Sequence, residues 1–145
     1  MAMTEMGTDE FERLLEAEVG HGPRPLDPGG RLSGRWTAVL TLAWLAIFSL
    51  GVALEPKPAD GNAMPVLGAI LETGLMVGWM VMAVGFLQRR RYGAFGSLGA
   101  AVVLVAMTIA CPLSGHHAGI GAWWWFEVAG AMALVGASGA ALQSV

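Results

Sequence analysis

The chain has 145 residues, of which 55% are hydrophobic and 13% are charged, and its formal net charge is −3. A chain this short cannot bury so much apolar surface in a water-soluble core, which argues against a soluble bundle. The acidic balance argues against nucleic acid as a partner, because binding to phosphates depends on Lys and Arg.

Residues 1–35 are predicted to form an acidic cytoplasmic tail, with seven acids and four arginines. Apolar residues between positions 9 and 19 fall on one helical face, which predicts a short amphipathic helix followed by a Pro- and Gly-rich tether. Interfacial helices usually carry Lys and Arg, so a cytosolic protein partner is the preferred interpretation, with a poorly ordered tail as the alternative. The predicted partner-binding residues are Phe11, Leu14, Leu15 and Val19.

Four apolar segments follow the tail, at about residues 37–54, 65–88, 94–112 and 120–142. A bilayer core about 30 Å thick needs about 20 residues of helix, which matches the length of these segments. Backbone in hydrocarbon has to satisfy its own hydrogen bonds, and the connections are too short to hold further domains. The predicted fold is all-α, an integral membrane four-helix bundle over residues 36–145.

The arginines indicate an orientation. Arg24, Arg31 and Arg35 precede the first segment, and three successive arginines at 89–91 separate the second segment from the third. The other two loops together carry a single base, Lys57. Since positive charge marks the cytoplasmic side, both termini are predicted to be cytoplasmic in a cell inner membrane. The loops at 55–64 and 113–119 then face the opposite compartment.

Small residues recur at four-residue spacing along three segments, which lets helix backbones approach closely in lipid. They are Gly74 and Gly78 on the second segment, Gly96 and Ala100 on the third, and Ala129, Ala133, Ala137 and Ala141 on the fourth. Packing within the bundle is the preferred interpretation. A homodimer, or membership of a larger membrane complex, remains open.

The outer half of the bundle contains the candidate sensing or metal-binding residues, which are Cys111, His116, His117, Glu72 and Glu127. Both carboxyls lie about 10 Å below the outer surface by helical rise, where ionisable groups are costly and are functional candidates. Imidazole, carboxylate and thiolate are ligands for zinc and other transition metals, although no known metal-binding spacing is present. A hydrogen-bond network of carboxyls and histidines, or solvated loop histidines, are the alternatives.

No arrangement of residues predicts an enzyme, and a single cysteine excludes a disulfide within the chain. Cys111 is therefore interpreted as a buried thiol, a metal ligand or one half of an intermolecular bridge.

Two short stretches resemble NrsF-type membrane anti-sigma factors. One is residues 16–28 (Glu-Ala-Glu-Val-Gly-His-Gly-Pro-Arg-Pro-Leu-Asp-Pro), and the other is Cys111-Pro112 with the His-containing turn and tryptophan that follow. The resemblance implies a cytoplasmic N-terminal segment that sequesters a sigma factor and a membrane bundle that responds to an outside signal. That family generally has six membrane helices and a pair of outward-facing cysteines, so thiol-pair sensing does not carry over.

The leading hypothesis is therefore a membrane regulatory protein that holds a cytosolic partner and responds to an external signal. The alternatives are an accessory or assembly subunit of a larger membrane complex, and a protein whose main activity is binding metal or haem.

Overall fold

The computed structural model describes residues 28–56, 65–115, 117 and 120–144. Within these residues lie four helices and no strand, and each helix is long and apolar enough to cross a membrane. The helices are α1 Gly34–Leu54, α2 Pro65–Leu87, α3 Tyr92–Leu113 and α4 Ala122–Gln143. The predicted all-α bundle of four membrane-length helices is confirmed. The amphipathic helix predicted at 9–19, with Phe11, Leu14, Leu15 and Val19, lies outside the described residues.

Local signals explain where α1 and α3 begin and end. The Ser33 hydroxyl accepts a hydrogen bond from the backbone N–H of Trp36, so α1 begins at Gly34, three residues before the predicted start. Helix α3 ends at Leu113. Pro112 lies in its last turn, and Gly115, just after the helix, adopts a φ of +69°. A positive φ at this position is typical of a helix C-terminus and turns the chain toward α4.

Helices α2 and α3 make the closest contact in the bundle. A Cβ atom added to Gly85 would lie 2.2 Å from the Cα atom of Gly93, and one added to Gly96 would lie 2.5 Å from the backbone N of Met82. Both distances are far below contact distance, so these glycines allow the two backbones to touch. Gly78 lies in the same interface, where an added Cβ would lie 2.9 Å from the backbone N of Ala100. The small residues predicted on α2 and α3 therefore pack within the bundle.

Helix α4 packs against both α3 and α1. Ala141 is fully buried on its inner face, whereas Ala129 and Ala133 are exposed. The predicted alanine repeat on α4 therefore contributes to bundle packing at only one end of the helix.

A buried hydrogen-bond chain joins α1, α3 and α4. The indole N–H of Trp44 donates to the Ser97 hydroxyl (2.8 Å), and the Ser97 hydroxyl is 2.8 Å from that of Ser138. All three side chains are buried. Because hydrocarbon offers no replacement partner, this chain fixes how the three helices are rotated about their axes.

We expect Ser97→Ala to lower the free energy of unfolding by about 1–2 kcal/mol, since it leaves the Trp44 N–H and the Ser138 hydroxyl without their shared partner. Ser49→Ala, at an exposed position on α1, is the matched control and should have little effect. The measurement is loss of helical circular dichroism as SDS is added to protein in mild detergent. Equal stability of the two variants would show that the chain contributes nothing measurable.

One end of the bundle is held together by arginines and is called the arginine end here. Residues 28–32 lie against the α2–α3 loop, and the backbone N–H of Arg91 donates to the Gly30 carbonyl (2.8 Å). The Arg91 side chain is buried and donates to the carbonyl of Leu142 in the last turn of α4, where a cation suits the negative helix end. The base of the tether is therefore attached to the bundle.

Candidate metal site

The opposite end of the bundle, called the histidine end here, brings together three different potential ligands. Glu55 follows the last residue of α1, Cys111 lies in the last turn of α3, and His117 lies in the α3–α4 connection. One carboxylate oxygen, the thiol sulfur and one imidazole nitrogen all lie within 4.8 Å of one another. Thiolate and imidazole ligands of a tetrahedral zinc are about 3.6 Å apart, so modest side-chain rotations would bring all three onto one ion.

His117 is held in place from two sides. Its Nε2 atom is 2.9 Å from Oε1 of Glu55, and its side chain is 1% exposed while that of Glu55 is 35% exposed. Its ring also meets the ring of Trp123, with centroids 4.7 Å apart. A metal ion bound at Nε2 would replace this hydrogen bond to Glu55, and the Cys111 thiol would lose its proton on binding.

A small cavity of about 190 Å³ extends from this cluster into the bundle. Glu55, Cys111 and Glu127 line one part of it, and the remainder is mostly apolar apart from Thr108. Glu127 reaches across to α1, where its Oε1 atom lies 3.7 Å from the position of a Cβ on Gly51. Gly51 precedes Glu55 by one helical turn, so the Glu127 carboxyl lies one turn deeper than the cluster.

Trp124 holds the first turn of α4 against α3, beside the cavity. The indole N–H of Trp124 donates to the backbone carbonyl of Thr108 on α3 (2.7 Å), and Thr108 also lines the cavity. The first turn of α4 is thereby attached to the last turns of α3, which places Glu127 on the cavity side.

Of the predicted site residues, Cys111, His117 and Glu127 lie at or beside this cavity. Glu72 does not join them, because it is exposed on α2 and is absent from both the cluster and the cavity wall. Glu72 is therefore not part of the candidate metal site in the described part of the chain. His116 lies outside the described residues.

Glu55 is the functional candidate that the sequence analysis missed. In the sequence it is the first residue of the loop at 55–64. Its position in the sequence could have identified it. Glu55 is the acid directly after the first apolar segment, and the predicted topology puts it on the same side of the membrane as the two histidines. A carboxylate at a helix end is as well placed to serve a membrane-surface site as one inside a helix.

Fold and site together define a multi-pass membrane protein with a candidate metal-binding group at one end of a four-helix bundle. The chain matches no family model, no curated protein and no solved structure. Its function is therefore argued from the bundle and the site.

Proposed function

We propose that the protein is a regulatory protein of the cell inner membrane that binds a transition metal, zinc, at its histidine end and holds a cytosolic partner through its N-terminal segment. The convergence of a carboxylate, a thiol and an imidazole from three separate elements supports the metal site. This mixture of ligands suits zinc, which accepts sulfur, nitrogen and oxygen donors.

The size of the cavity supports an ion as the ligand. The cavity has a volume of about 190 Å³, whereas sites for small molecules typically have volumes of about 300–1,000 Å³. A metal ion with a bound water fits this space better than haem or an organic signal does. Glu127, one turn deeper, is placed to accept a hydrogen bond from such a water.

The distribution of charge supports the orientation. Arg31, Arg35, Arg89 and Arg90 are exposed at the arginine end, which by the positive-inside rule faces the cytosol. The histidine end then faces the opposite compartment, and the predicted partner-binding segment lies on the cytosolic side.

Helix α1 is the element that would connect the two sides. Its 21 residues run from the tether at the arginine end to Glu55 at the histidine end. A metal that joins Glu55 to Cys111 and His117 fixes α1 relative to α3, and it acts as a switch if one arrangement of α1 favours the partner-bound state.

The experiment compares partner capture by the full-length protein with and without zinc. We expect the detergent-solubilised protein to retain a sigma factor from cytosolic extract in one metal state and to release it in the other. Phe11→Asp with Leu15→Asp should abolish capture, because charge on the apolar face opposes burial against a partner. Arg13→Asp, on the opposite face of the predicted helix, is the control and should retain it. Capture that does not respond to zinc would contradict a metal-dependent regulator.

A second candidate function, an accessory subunit of a larger membrane complex, is favoured by the position of Glu72. This carboxyl is exposed on the outer face of α2, about two turns from the start of the helix. A carboxyl that faces lipid at this depth is costly, and a neighbouring membrane helix would cover it. Stoichiometric co-purification of other membrane subunits, without a cytosolic partner, would favour this role over regulation.

A further inference from the structure

An open groove runs along the membrane-facing surface between α1 and α2. It has a volume of about 660 Å³ and is lined on α1 by residues between 37 and 49 and on α2 by residues between 79 and 87. Its floor is aromatic, since the ring of Trp79 meets those of Trp44 and Phe48 at centroid distances of 5.8 and 4.7 Å. The α1 backbone lies close to that of α4, whereas α1 meets α2 mainly through these aromatic side chains, which leaves the groove open toward lipid.

Few polar side chains line the groove, and one of them, the buried Trp79 indole N–H, has no hydrogen-bond partner among the described residues. Thr37 and Thr41 line the groove, but their hydroxyls donate to the backbone carbonyls of the residues four positions earlier, at 3.2 and 2.8 Å. No charged side chain lines the groove. Apart from the Trp79 N–H and the Ser49 hydroxyl, a saturated hydrocarbon chain therefore meets a surface of similar polarity along the groove.

Arg89 lies at the mouth of this groove. Its guanidinium carbon is 3.9 Å from the position of a Cβ on Gly34, the first residue of α1. Gly34 precedes Thr37 and Thr41 by three and seven residues, so it lies on the groove-facing side of the helix. The backbone holds Arg89 there, because its carbonyl accepts a hydrogen bond from the N–H of Leu32 (2.8 Å).

The positive charge at this end is not neutralised by the described residues. Arg31, Arg35, Arg89 and Arg90 are all exposed, and none of them forms an ion pair within the described part of the chain. The acids in those same ranges are Glu55, Glu72 and Glu127, all in the histidine-end half of the bundle.

We propose that this groove is a binding site for one anionic phospholipid, with its phosphate at Arg89 and an acyl chain between α1 and α2. The dimensions agree with one leaflet. Between positions 37 and 49, helix α1 rises by about 18 Å. Half of the hydrocarbon core of a bilayer is about 15 Å thick, so the groove is about as long as one leaflet is deep. The basic residues are at the headgroup end of the groove, and the apolar residues extend from there toward the midplane.

Charge complementarity favours a lipid over a second protein as the occupant. A membrane helix would fill an apolar groove equally well, but it would gain nothing from a cation at the headgroup level. Basic residues beside helices at this level are typical of sites for acidic lipid headgroups.

The test counts the lipids retained by full-length protein that is reconstituted with equal amounts of phosphatidylglycerol and phosphatidylcholine and then extracted in mild detergent. Native mass spectrometry should show one phosphatidylglycerol bound per chain in preference to phosphatidylcholine. Arg89→Gln should weaken retention about fivefold, the effect of one arginine beside an anionic headgroup. Arg35→Gln is the matched control, because it removes the same charge from the same end of the bundle. Arg35 is rotated by about 100° around α1 from Gly34, away from the groove, so this variant should lose less lipid than Arg89→Gln.

A second pair of variants tests the acyl chain. Ala83→Leu should displace the lipid by filling the groove, whereas Ala129→Leu, at an exposed position on α4, should retain it. Circular dichroism checks that each variant remains helical. Equal losses in Arg89→Gln and Arg35→Gln, undiminished retention by Ala83→Leu, equal binding of both lipids, or a protein helix recovered in place of lipid would each overturn the proposal.

Discussion

Gly85→Ala is expected to destabilise the bundle by about 3 kcal/mol, the upper part of the range for overpacked sites. The added methyl would lie 2.2 Å from both the Cα and the N atom of Gly93. A flexible side chain could move aside, but these are backbone atoms, so α2 and α3 have to separate. In lipid the attraction between helices is mainly van der Waals contact, and separation weakens it along the whole interface.

Gly99→Ala on α3 is the matched control, because an added Cβ there meets nothing within 4 Å. Alanine is the better helix former by up to about 1 kcal/mol, so this control should be neutral or slightly stabilising. The two variants thus differ in sign although both make the same substitution in a membrane-length helix. The measurement is the fraction of helix retained as the mole fraction of SDS rises. Similar curves for both would show that α2 and α3 do not approach as closely as the structure has them.

The four helices could be predicted because a membrane-spanning helix has to meet a simple requirement of length and apolar composition. Any helix that crosses the hydrocarbon core has to be apolar for about 20 residues. Such a run can be recognised in the sequence without knowledge of the tertiary contacts. Boundaries shifted where a local cap acts, as at Ser33, whose hydroxyl starts α1 before the apolar run begins. The sequence also predicts Gly78 and Gly96 as packing residues, because only small residues let helix backbones touch.

The rotation of each helix about its axis could not be predicted, and for this reason the sequence did not separate Glu72 from Glu127. The depth of Glu72 follows from counting residues, and Glu127 has a similar depth. Which residues face inward is normally read from an amphipathic pattern, but these helices are apolar on every face. Contacts between helices decide it instead, and they place Glu127 beside Gly51 and leave Glu72 exposed.

Removal of a single ligand at the histidine end should weaken zinc binding by more than about 100-fold. Loss of residues that merely support a metal ligand costs about 10–100-fold, and loss of a ligand itself should cost more. The variants are Cys111→Ala and His117→Ala, measured on full-length protein in detergent by competition with a chromogenic chelator. Affinity should also fall at acidic pH, because the thiol and the imidazole have to lose protons to bind the metal.

Glu72→Gln and Glu127→Gln separate the roles of the two membrane carboxyls. Glu72→Gln should leave zinc affinity unchanged, since this residue is exposed on α2 away from the cluster. Glu127→Gln should have an intermediate effect, because its carboxyl lines the same cavity as Glu55 and Cys111 one turn deeper. Cobalt offers a second measurement, since thiolate ligation gives an intense near-ultraviolet band that Cys111→Ala should remove. Zinc affinity that survives Cys111→Ala and His117→Ala but falls in Glu72→Gln would move the metal to the outer face of α2, where a neighbouring subunit would have to supply the other ligands.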